Sequence, residues 1–168
     1  ANKGGQGSSS GVDNHIDLNI IGTNLTSLGD LLIGDAGKNT IYGLDGNDTI
    51  YENADDDFVE AGAGNDYIYA GAGDDHIDGD DTNVATTDGT KDTLDFSSIA
   101  ISTDTGDTRD VDGTGIDATT TDAYSGIEID LGITSAQRIH AEYGTDTITN
   151  IENVVGSDYD DVFITKLT

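Results

Sequence analysis

The sequence contains no cysteine, proline, methionine or tryptophan, and only 6 of its 168 residues are lysine or arginine. Without cysteine there can be no disulfide framework, thiolate metal site or cysteine nucleophile. The formal net charge of −28 repels phosphate, so nucleic acids and anionic lipids are poor partners. No apolar run approaches the roughly 18 residues that a membrane span needs. A basic, apolar signal segment is also missing at Ala1. We therefore expect no nucleic-acid partner, no membrane insertion, and either a leader already removed or export that uses none.

The acidic residues are mostly aspartate, with 29 Asp against 5 Glu. Solubility alone does not explain this bias, because glutamate is as soluble and is the better helix former. Aspartate suits tight turns and hard cations, since its short carboxylate reaches back over the local backbone. The composition leaves two interpretations open: a cation-loaded protein, or a halophilic or disordered acidic chain.

A repeat of nine residues decides between these interpretations. Residues 34–78 divide into five consecutive blocks of nine, and one block further back, 25–33, keeps Asp30 and Leu32 in frame. The eighth place is always aliphatic: Ile41, Ile50, Val59, Ile68 and Ile77. The sixth place is aspartate in four blocks and asparagine in the first: Asn39, Asp48, Asp57, Asp66 and Asp75. The fourth place is glycine except at Asp55: Gly37, Gly46, Gly64 and Gly73.

This period predicts short strands that alternate with tight turns. The aliphatic residue points inward from a very short strand, and the Gly, Asn and Asp before it reverse the chain. Two blocks make one coil of eighteen residues, so equivalent turns stack with Asp48 over Asp66 and Asp57 over Asp75. Such a stack repels itself unless a cation lies between the carboxylates. An all-oxygen site of carboxylates and turn carbonyls suits Ca²⁺.

The blocks resemble the RTX calcium-binding nonapeptide repeat, G-G-x-G-x-D-x-U-x, which builds a parallel β-roll. AGAGNDYIY (61–69) and AGAGDDHID (70–78) match it at every place except the first, where alanine replaces glycine. The resemblance implies an all-β fold, a right-handed β-solenoid of parallel strands. It also implies several bound calcium ions and a bacterial protein exported by type I secretion.

The resemblance further implies which residues bind calcium. In each site, one turn provides the backbone carbonyls of places two and four and the carboxylate of its sixth-place aspartate. The turn eighteen residues further on provides the carbonyls of places one and three and the carboxylate of its own sixth-place aspartate. The first complete site is Leu44, Gly46, Asp48, Ala61, Ala63 and Asp66, with Gly62 and Gly64 in its turn. The second is Asn53, Asp55, Asp57, Ala70, Ala72 and Asp75. A third has Asn39 where a charged ligand is expected: Asp35, Gly37, Asn39, Glu52, Ala54 and Asp57. A fourth lacks the glycine turn on its first side: Thr26, Leu28, Asp30, Gly43, Asp45 and Asp48.

The resemblance extends past the repeats and suggests four parts. Residues 1–15 form a flexible Gly/Ser-rich arm, 16–99 the β-roll, 100–140 an inserted covering segment with a strand near 126–132, and 141–168 a second half-roll. Three aspartates there hold the key sixth place and join the candidate ligands: Asp92, Asp146 and Asp161. The stretch 80–90 is interpreted as an inserted loop. The loop at 104–117 is either a polar surface loop or an extra calcium site.

No motif indicates catalysis. The G-x-S-x-G at 7–11 lies in a Gly/Ser tract, whereas a nucleophile elbow lies between a strand and a helix. His15, His76 and His140 lack zinc-site spacing. We therefore predict that the chain is not an enzyme.

Places seven and nine face outward and carry a ladder of aromatic rings. These are Tyr51, Tyr67 and Tyr69 on one turn series, with Tyr42 and Phe58 on the other. Either the segment 97–140 packs over the rings, or they form a docking face for a sugar or a protein.

Three functions remain open. The first is a secreted, calcium-folded structural or adhesive protein that self-assembles into a surface layer, filament or matrix, or contacts cell-surface components. The second is the calcium-dependent folding and secretion module of a larger exoenzyme, toxin or adhesin. The third is a carbohydrate-binding module that uses the tyrosines. Strand-like segments at 16–22 and 162–168 without a convincing cap favour the first, by head-to-tail contact.

Overall fold

The computed structural model describes residues 17–80, 91–98, 126–140, 144–159 and 161–164. The predicted arm at 1–15 and the loop at 104–117 lie outside these residues, as does all but Asp80 of the inserted loop 80–90. Within the described ranges every regular element is a β-strand, and none forms a helix able to cross a bilayer. In chain order the strands are β1 (Leu18–Ile21), β2 (Leu31–Ile33), β3 (Asn39–Asp45), β4 (Thr49–Tyr51), β5 (Phe58–Ala63), β6 (Tyr67–Tyr69), β7 (His76–Asp78), β8 (Thr93–Asp95), β9 (Glu128–Asp130), β10 (Gln137–His140), β11 (Gly144–Thr149), β12 (Asn153–Val155) and β13 (Val162–Ile164).

Successive strands of the repeat alternate between two sheets. A six-stranded sheet has the order β1-β3-β5-β7-β11-β10, and a five-stranded sheet the order β12-β8-β6-β4-β2. Every pair is parallel except β10 with β11. The chain thus crosses from one sheet to the other at each turn and stacks coil on coil. This arrangement confirms the predicted all-β parallel β-roll.

The register confirms a coil of eighteen residues within the repeat. Ile41 pairs with Val59 and then Val59 with Ile77 on one sheet. On the other sheet, Ile50 pairs with Ile68. The eighth place of each block therefore lies directly over the same place one coil away, as the nine-residue period requires.

Two insertions interrupt the period without changing the stack. Ile68 pairs with Leu94, which is 26 positions on, because the chain between them includes the inserted loop. Ile77 pairs with Ile148, so β11 follows β7 directly although more than sixty residues separate them. The interior position of the roll is filled by an aliphatic residue in both cases.

The core is the column of inward aliphatic side chains between the two sheets. Nearly all of these side chains are fully buried: Leu32, Ile41, Ile50, Val59, Ile68, Ile77, Leu94 and Ile148. Phe96 and Ile151 extend the cluster, and Ile129 of β9, Ile139 of β10 and Ile127, just before β9, join it. One aliphatic residue per nine makes this a thin core, so the turns must contribute to stability.

The region after residue 126 adds to the roll. The predicted strand near 126–132 is present as β9, which pairs in parallel with β13 in a separate two-stranded sheet. β11 and β12 lie on the two sheets of the roll itself, next to β7 and β8. We keep the four-part division as a proposal, with the strands of 144–155 counted as a further coil of the same roll.

Candidate metal sites

A column of acidic side chains runs along each edge of the roll, where the chain turns. In the first, here called the Asp48 column, each backbone N–H donates to the carboxylate one coil further on. Asp30 N–H donates to Asp48 Oδ1 at 2.7 Å, and Asp48 N–H to Asp66 Oδ1 at 2.7 Å. Asp66 N–H then donates to Asp92 Oδ1 at 2.8 Å, and Asp92 N–H to Glu152 Oε2 at 3.0 Å. The coils place one carboxylate above the next along the whole edge.

The opposite edge carries the Asp57 column, which is built in the same way. Asn39 N–H donates to Asp57 Oδ1 and Asp57 N–H to Asp75 Oδ1, both at 2.7 Å. Asp75 N–H donates to Asp146 Oδ1 at 3.1 Å. The two columns bring together nearly all of the predicted sixth-place residues: Asp30, Asp48, Asp66 and Asp92 on one edge, and Asn39, Asp57, Asp75 and Asp146 on the other.

One carboxylate oxygen in several of these residues is buried without a hydrogen-bond donor. This holds for Oδ2 of Asp48, Asp57 and Asp75. Burying a carboxylate oxygen that lacks a partner is costly, and native proteins seldom leave such an atom unsatisfied. A repeated orphan oxygen at equivalent positions therefore points to a missing positively charged partner.

The electrostatics of the columns agree with this interpretation. Burial, with repulsion from neighbouring carboxylates, raises the pKa of Asp57 to about 6 and that of Asp75 to about 7. Burial and the nearby Asp75 carboxylate raise the pKa of Asp146 to about 8. The pKa of Asp48 is raised for the same first reason. Without a cation, burial thus shifts these four aspartates towards their protonated form.

The turns between the strands supply backbone oxygens beside the columns. Several residues of places two and four are left-handed, with φ of 78° at Leu44 and Asn53 and 73° at Asp55. Glycine is required at the fourth place of the block 61–69, because a Cβ at Gly64 would lie 1.7 Å from the Gly46 carbonyl oxygen. The Asn53 carbonyl accepts one hydrogen bond, from Ala72 N–H at 3.0 Å. A carbonyl oxygen has two lone pairs, so one remains for a cation.

The residues of the two complete candidate sites fit calcium. Each pairs two stacked aspartates, Asp48 with Asp66 or Asp57 with Asp75, beside turns rich in backbone oxygen. Among the described residues, no three acidic or histidine side chains converge as ligands of one metal ion. Backbone carbonyls would have to complete the shell, which suits Ca²⁺ with its six to eight oxygen ligands. A bound ion there would neutralise the stacked charges.

The other two candidate sites are closed by side chains of the protein. Asp30 Oδ2 accepts hydrogen bonds from Thr23 N–H at 2.6 Å and Thr23 Oγ1 at 2.9 Å. In the third, the Asn39 amide donates to the carbonyls of Asp35 and Gly37. Asp30 and Asn39 thus end their columns, and the ligand assignment of these two turns has less support than that of the complete sites.

Asp161 lies apart from both columns. Its Oδ1 accepts hydrogen bonds from Ile127 N–H at 2.9 Å and Ser157 Oγ at 2.6 Å, beside the small sheet of β9 and β13. The residue thus links the last described strand to β9. Its role as a calcium ligand remains a prediction.

Sequence reasoning missed Glu152 and assigned only the backbone carbonyl of Glu52, whereas the fold brings the carboxyl groups of both glutamates to the columns. Glu152 follows Asp92 in the Asp48 column. Glu52 is fully buried, with Oε2 accepting from Gly71 N–H at 3.0 Å and Oε1 without a donor. Burial and the nearby Asp75 carboxylate raise its pKa well above the ordinary value. The one available signal was its position, since place one is otherwise glycine or alanine in residues 34–78.

The predicted aromatic ladder is confirmed, and its rings pack on one another. Tyr51 stacks on Tyr69 with centroids 4.2 Å apart and planes 5° apart, and Phe58 stacks on His76 at 4.9 Å. Tyr67 donates a 2.5 Å hydrogen bond to Asp95 Oδ2. A sugar that stacks on an aromatic ring needs a free face, and the stacking between coils occupies one face of each of these four rings. The geometry favours a structural role for the ladder.

A parallel β-roll with stacked aspartates at its turns defines a repeat protein whose turns take up cations. Residues 26–51 and 53–83 match the family model of the RTX calcium-binding nonapeptide repeat, in four copies. The blocks of this chain are therefore RTX repeats, and RTX nonapeptide repeats bind calcium ions. No curated protein and no solved structure shows significant similarity to the chain.

Proposed function

We propose that this chain is a secreted, non-enzymatic protein that folds on binding calcium and assembles end to end into an extracellular structure. RTX repeats and their calcium ions support the calcium-dependent part of this function. The distribution of exposed apolar side chains supports assembly. The ligands we propose are the aspartates of the two columns with the carbonyls of the two complete sites.

Calcium is proposed to drive folding because the calcium-free roll stacks buried carboxylates over one another. Binding to the folded state alone adds the binding free energy to stability. Circular dichroism of the calcium-stripped chain should show much less β-structure than in millimolar Ca²⁺, and the fold that remains should unfold at a far lower urea concentration. Mg²⁺ should substitute poorly, because it demands a smaller octahedral shell. A β-rich spectrum that is unchanged in excess chelator would refute this part of the proposal.

The large exposed hydrophobic side chains of the described residues lie at the two ends of the roll. In the first coil these are Ile21, Leu25, Leu28, Leu31 and Ile33. The remaining ones lie beyond residue 132: Ile133, Val155, Tyr159, Phe163 and Ile164. None occurs in 34–80 or 91–98. A soluble roll that hides apolar groups along its length but shows them at both ends is suited to contacts through those ends.

Unpaired strand edges coincide with these apolar ends. β1 and β2 are edge strands of the two sheets at the first coil, and β12 is the edge strand at the far end of the five-stranded sheet. In the six-stranded sheet, β10 covers β11 in the antiparallel sense. Addition of β2 from one copy to β12 of the next would extend the five-stranded sheet. Such a contact is heterologous, so it propagates into linear assemblies.

Assembly is tested by light scattering and analytical ultracentrifugation in chelator and in 5–10 mM Ca²⁺. The wild type should be monomeric in chelator and should form linear oligomers in calcium. Leu28→Asp, at a side chain that is 63% exposed, should fold with calcium but stay monomeric. Asn65→Asp adds the same charge at an exposed site beside β6, in the middle of the five-stranded sheet, and it should assemble as the wild type does. A wild-type monomer in calcium would favour instead a folding module of a larger exoenzyme, toxin or adhesin.

Export is proposed to follow the type I route, of which RTX repeats are typical. A chain that stays unfolded at low cytosolic calcium can pass through an exporter and fold outside. The test is expression of the whole chain in a host with and without a type I exporter. Retention inside the cells in both cases would contradict this route.

A further inference from the structure

The first turn on the Asp57 edge is closed by an amide side chain. Asn39 Nδ2 donates to the Gly37 carbonyl, more weakly to the Asp35 carbonyl at 3.5 Å, and to Asp57 Oδ1 at 3.2 Å. Asn39 Oδ1 accepts from Asp35 N–H at 3.3 Å. The side chain is 3% exposed, so these bonds are shielded from water. The Asn39 amide therefore provides the hydrogen bonds that the backbone oxygens of this turn need.

The acceptors of this amide are those that the RTX pattern assigns to an ion. In that pattern, the carbonyls of Asp35 and Gly37 and the Asp57 carboxylate surround one cation. One coil further along the same edge, Asp57 Oδ2 and Asp75 Oδ2 have no hydrogen-bond donor. The second turn has left-handed residues at Asn53 and Asp55, whereas Asp35 and Gly37 of the first turn are not left-handed. The amide bonds the oxygens of the first turn, and the second leaves the Oδ2 atoms of its two aspartates without a donor.

The other edge ends in a comparable way. Asp30, the first residue of the Asp48 column, has Oδ2 bonded by Thr23, whereas Oδ2 of Asp48 one coil on has no donor. Both columns therefore begin with a carboxylate or amide whose partners belong to the protein. The first coil differs from the following ones in the same respect on both edges.

We propose that the Asn39 amide stands in for a calcium ion, so that the first turn on this edge closes without calcium. The series of cation sites on the Asp57 edge then begins with the Asp57–Asp75 pair. This inference rests on the proposed function, since it takes the columns to be calcium sites. An amide presents two polarised N–H groups to the oxygens without adding net charge. Because Asn39 is uncharged, the end of the column also carries no buried carboxylate that lacks a positively charged partner.

The decisive variant is Asn39→Asp, which removes the donors and restores the consensus carboxylate. In chelator, the new carboxylate faces the Gly37 carbonyl and Asp57, so this variant should be less stable than the wild type. In saturating calcium it should bind one further ion per chain and regain wild-type stability. Calcium stoichiometry by isothermal titration and thermal unfolding with and without calcium measure both effects.

The matched control is Asn65→Asp, which makes the same chemical change on the exposed side of a turn. Asn65 Oδ1 accepts from Lys91 N–H, a bond that aspartate can keep. This control should bind the wild-type number of ions. Asn39→Leu, which offers neither donors nor a ligand, should be destabilised with and without calcium.

Each outcome bears on one hypothesis. If Asn39→Asp binds no additional ion, or stays unfolded at every calcium concentration, the amide does not stand in for an ion. If the wild type binds no calcium, the proposed function fails first, whatever the variants do. If the wild type binds calcium but Asn39→Asp binds only as many ions as Asn65→Asp, this inference fails and the proposed function stands.

Discussion

An aspartate at the sixth place of a block has two roles. One carboxylate oxygen accepts the backbone N–H of the coil before it, which fixes the spacing between coils. The other oxygen faces the site that we assign to calcium. Asp66 illustrates the first role, since it accepts from Asp48 N–H and its own N–H donates to Asp92.

Asp66→Asn keeps an oxygen that can accept the Asp48 N–H but removes one negative charge from the column. Because the charge of the ligands tunes calcium affinity, the calcium midpoint for folding should rise by about tenfold. Folding followed by circular dichroism during calcium titration measures this midpoint. Asp158→Asn, at an exposed position outside the columns, should leave it unchanged. Equal midpoints for the two variants would contradict the repeat frame.

Asp78 behaves differently from a surface aspartate although it lies outside the ligand pattern. It is buried, and its Oδ1 accepts from Asp80 N–H at 3.2 Å and Asn150 Nδ2 at 2.7 Å. From the sequence alone, a substitution at Asp78 is expected to have little effect, since place nine faces outward. The insertion before β11 brings Asn150 over it, which no local pattern shows.

Glu52 is a buried acid at place one, where the other blocks of 34–78 have glycine or alanine. Glu52→Gln keeps an acceptor for Gly71 N–H and removes an acid beside Asp75. The calcium-free fold should gain roughly 1–3 kcal/mol, the usual cost of an unsatisfied buried polar group. Glu152→Gln removes the same charge at an exposed position and should change stability little. Urea unfolding in chelator compares the two; a destabilised Glu52→Gln would indicate that the carboxylate has a partner.

At the scale of the strands, the rings on places seven and nine connect one coil to the next. Tyr69 contacts Tyr51 face to face and Tyr67 at a tilt of 49° with centroids 4.9 Å apart. The roll has a thin core, so packing outside it contributes a larger share of the stability. Aromatic pairs add about 0.5–1.5 kcal/mol beyond the area that they bury.

Tyr69→Ala should lower the unfolding free energy of the calcium-loaded chain by about 1–2 kcal/mol. The number of bound calcium ions should not change, because the ring lies outside the columns. Tyr69→Phe, which keeps the ring stacked on Tyr51, is the matched control and should cost much less. If Tyr69→Ala changes neither the unfolding free energy nor the number of bound calcium ions, the ladder has no structural role. That result would favour a ligand-binding role for the rings.

The strands of the repeat were predictable because each block repeats its core residue and its turn. The same period placed Asp48 and Asp57 in separate columns, since successive blocks face opposite edges. The pairing of Ile77 with Ile148 was not predictable, because the long insertion between them leaves no periodic trace. The Asn39 amide was equally hidden. Its sequence position shows a missing charge, but only the folded turn shows which carbonyls the amide reaches.

At the scale of the whole molecule, the buried carboxylates of the two columns make the stability of the fold depend on calcium and on pH. The chain has a net charge of −28 and a sequence pI near 4.1, so most carboxylates are ionised at neutral pH. In the calcium-free columns, burial raises the pKa of Asp48, Asp57, Asp75 and Asp146 and so favours the protonated form of these four side chains. Calcium and protons therefore compete for the same buried oxygens.

This competition predicts the pH dependence of the calcium-stripped chain. The folded pKa is raised to about 6 for Asp57, about 7 for Asp75 and about 8 for Asp146, whereas unfolded aspartates titrate near 4. A group whose folded pKa is raised holds its proton more tightly in the folded state. Its contribution to stability is complete below the unfolded pKa and is lost as pH rises through the folded pKa. The calcium-free chain should thus be more stable at pH 5 than at pH 8.

Urea unfolding of calcium-stripped protein at pH 5 and pH 8 measures this difference, above the pI in both cases. Asp56 shifts in the opposite sense, because the hydrogen bond from Lys38 lowers its pKa, but it is exposed and solvent screens its effect. Repulsion among surface charges would also weaken the fold at pH 8. The two causes separate in 0.5 M NaCl, which screens exposed charges but not the buried columns. Persistence of the pH effect in salt supports the buried acids as its source. Its disappearance would assign it to the surface, and the calcium requirement would then reflect net charge instead of stacked carboxylates.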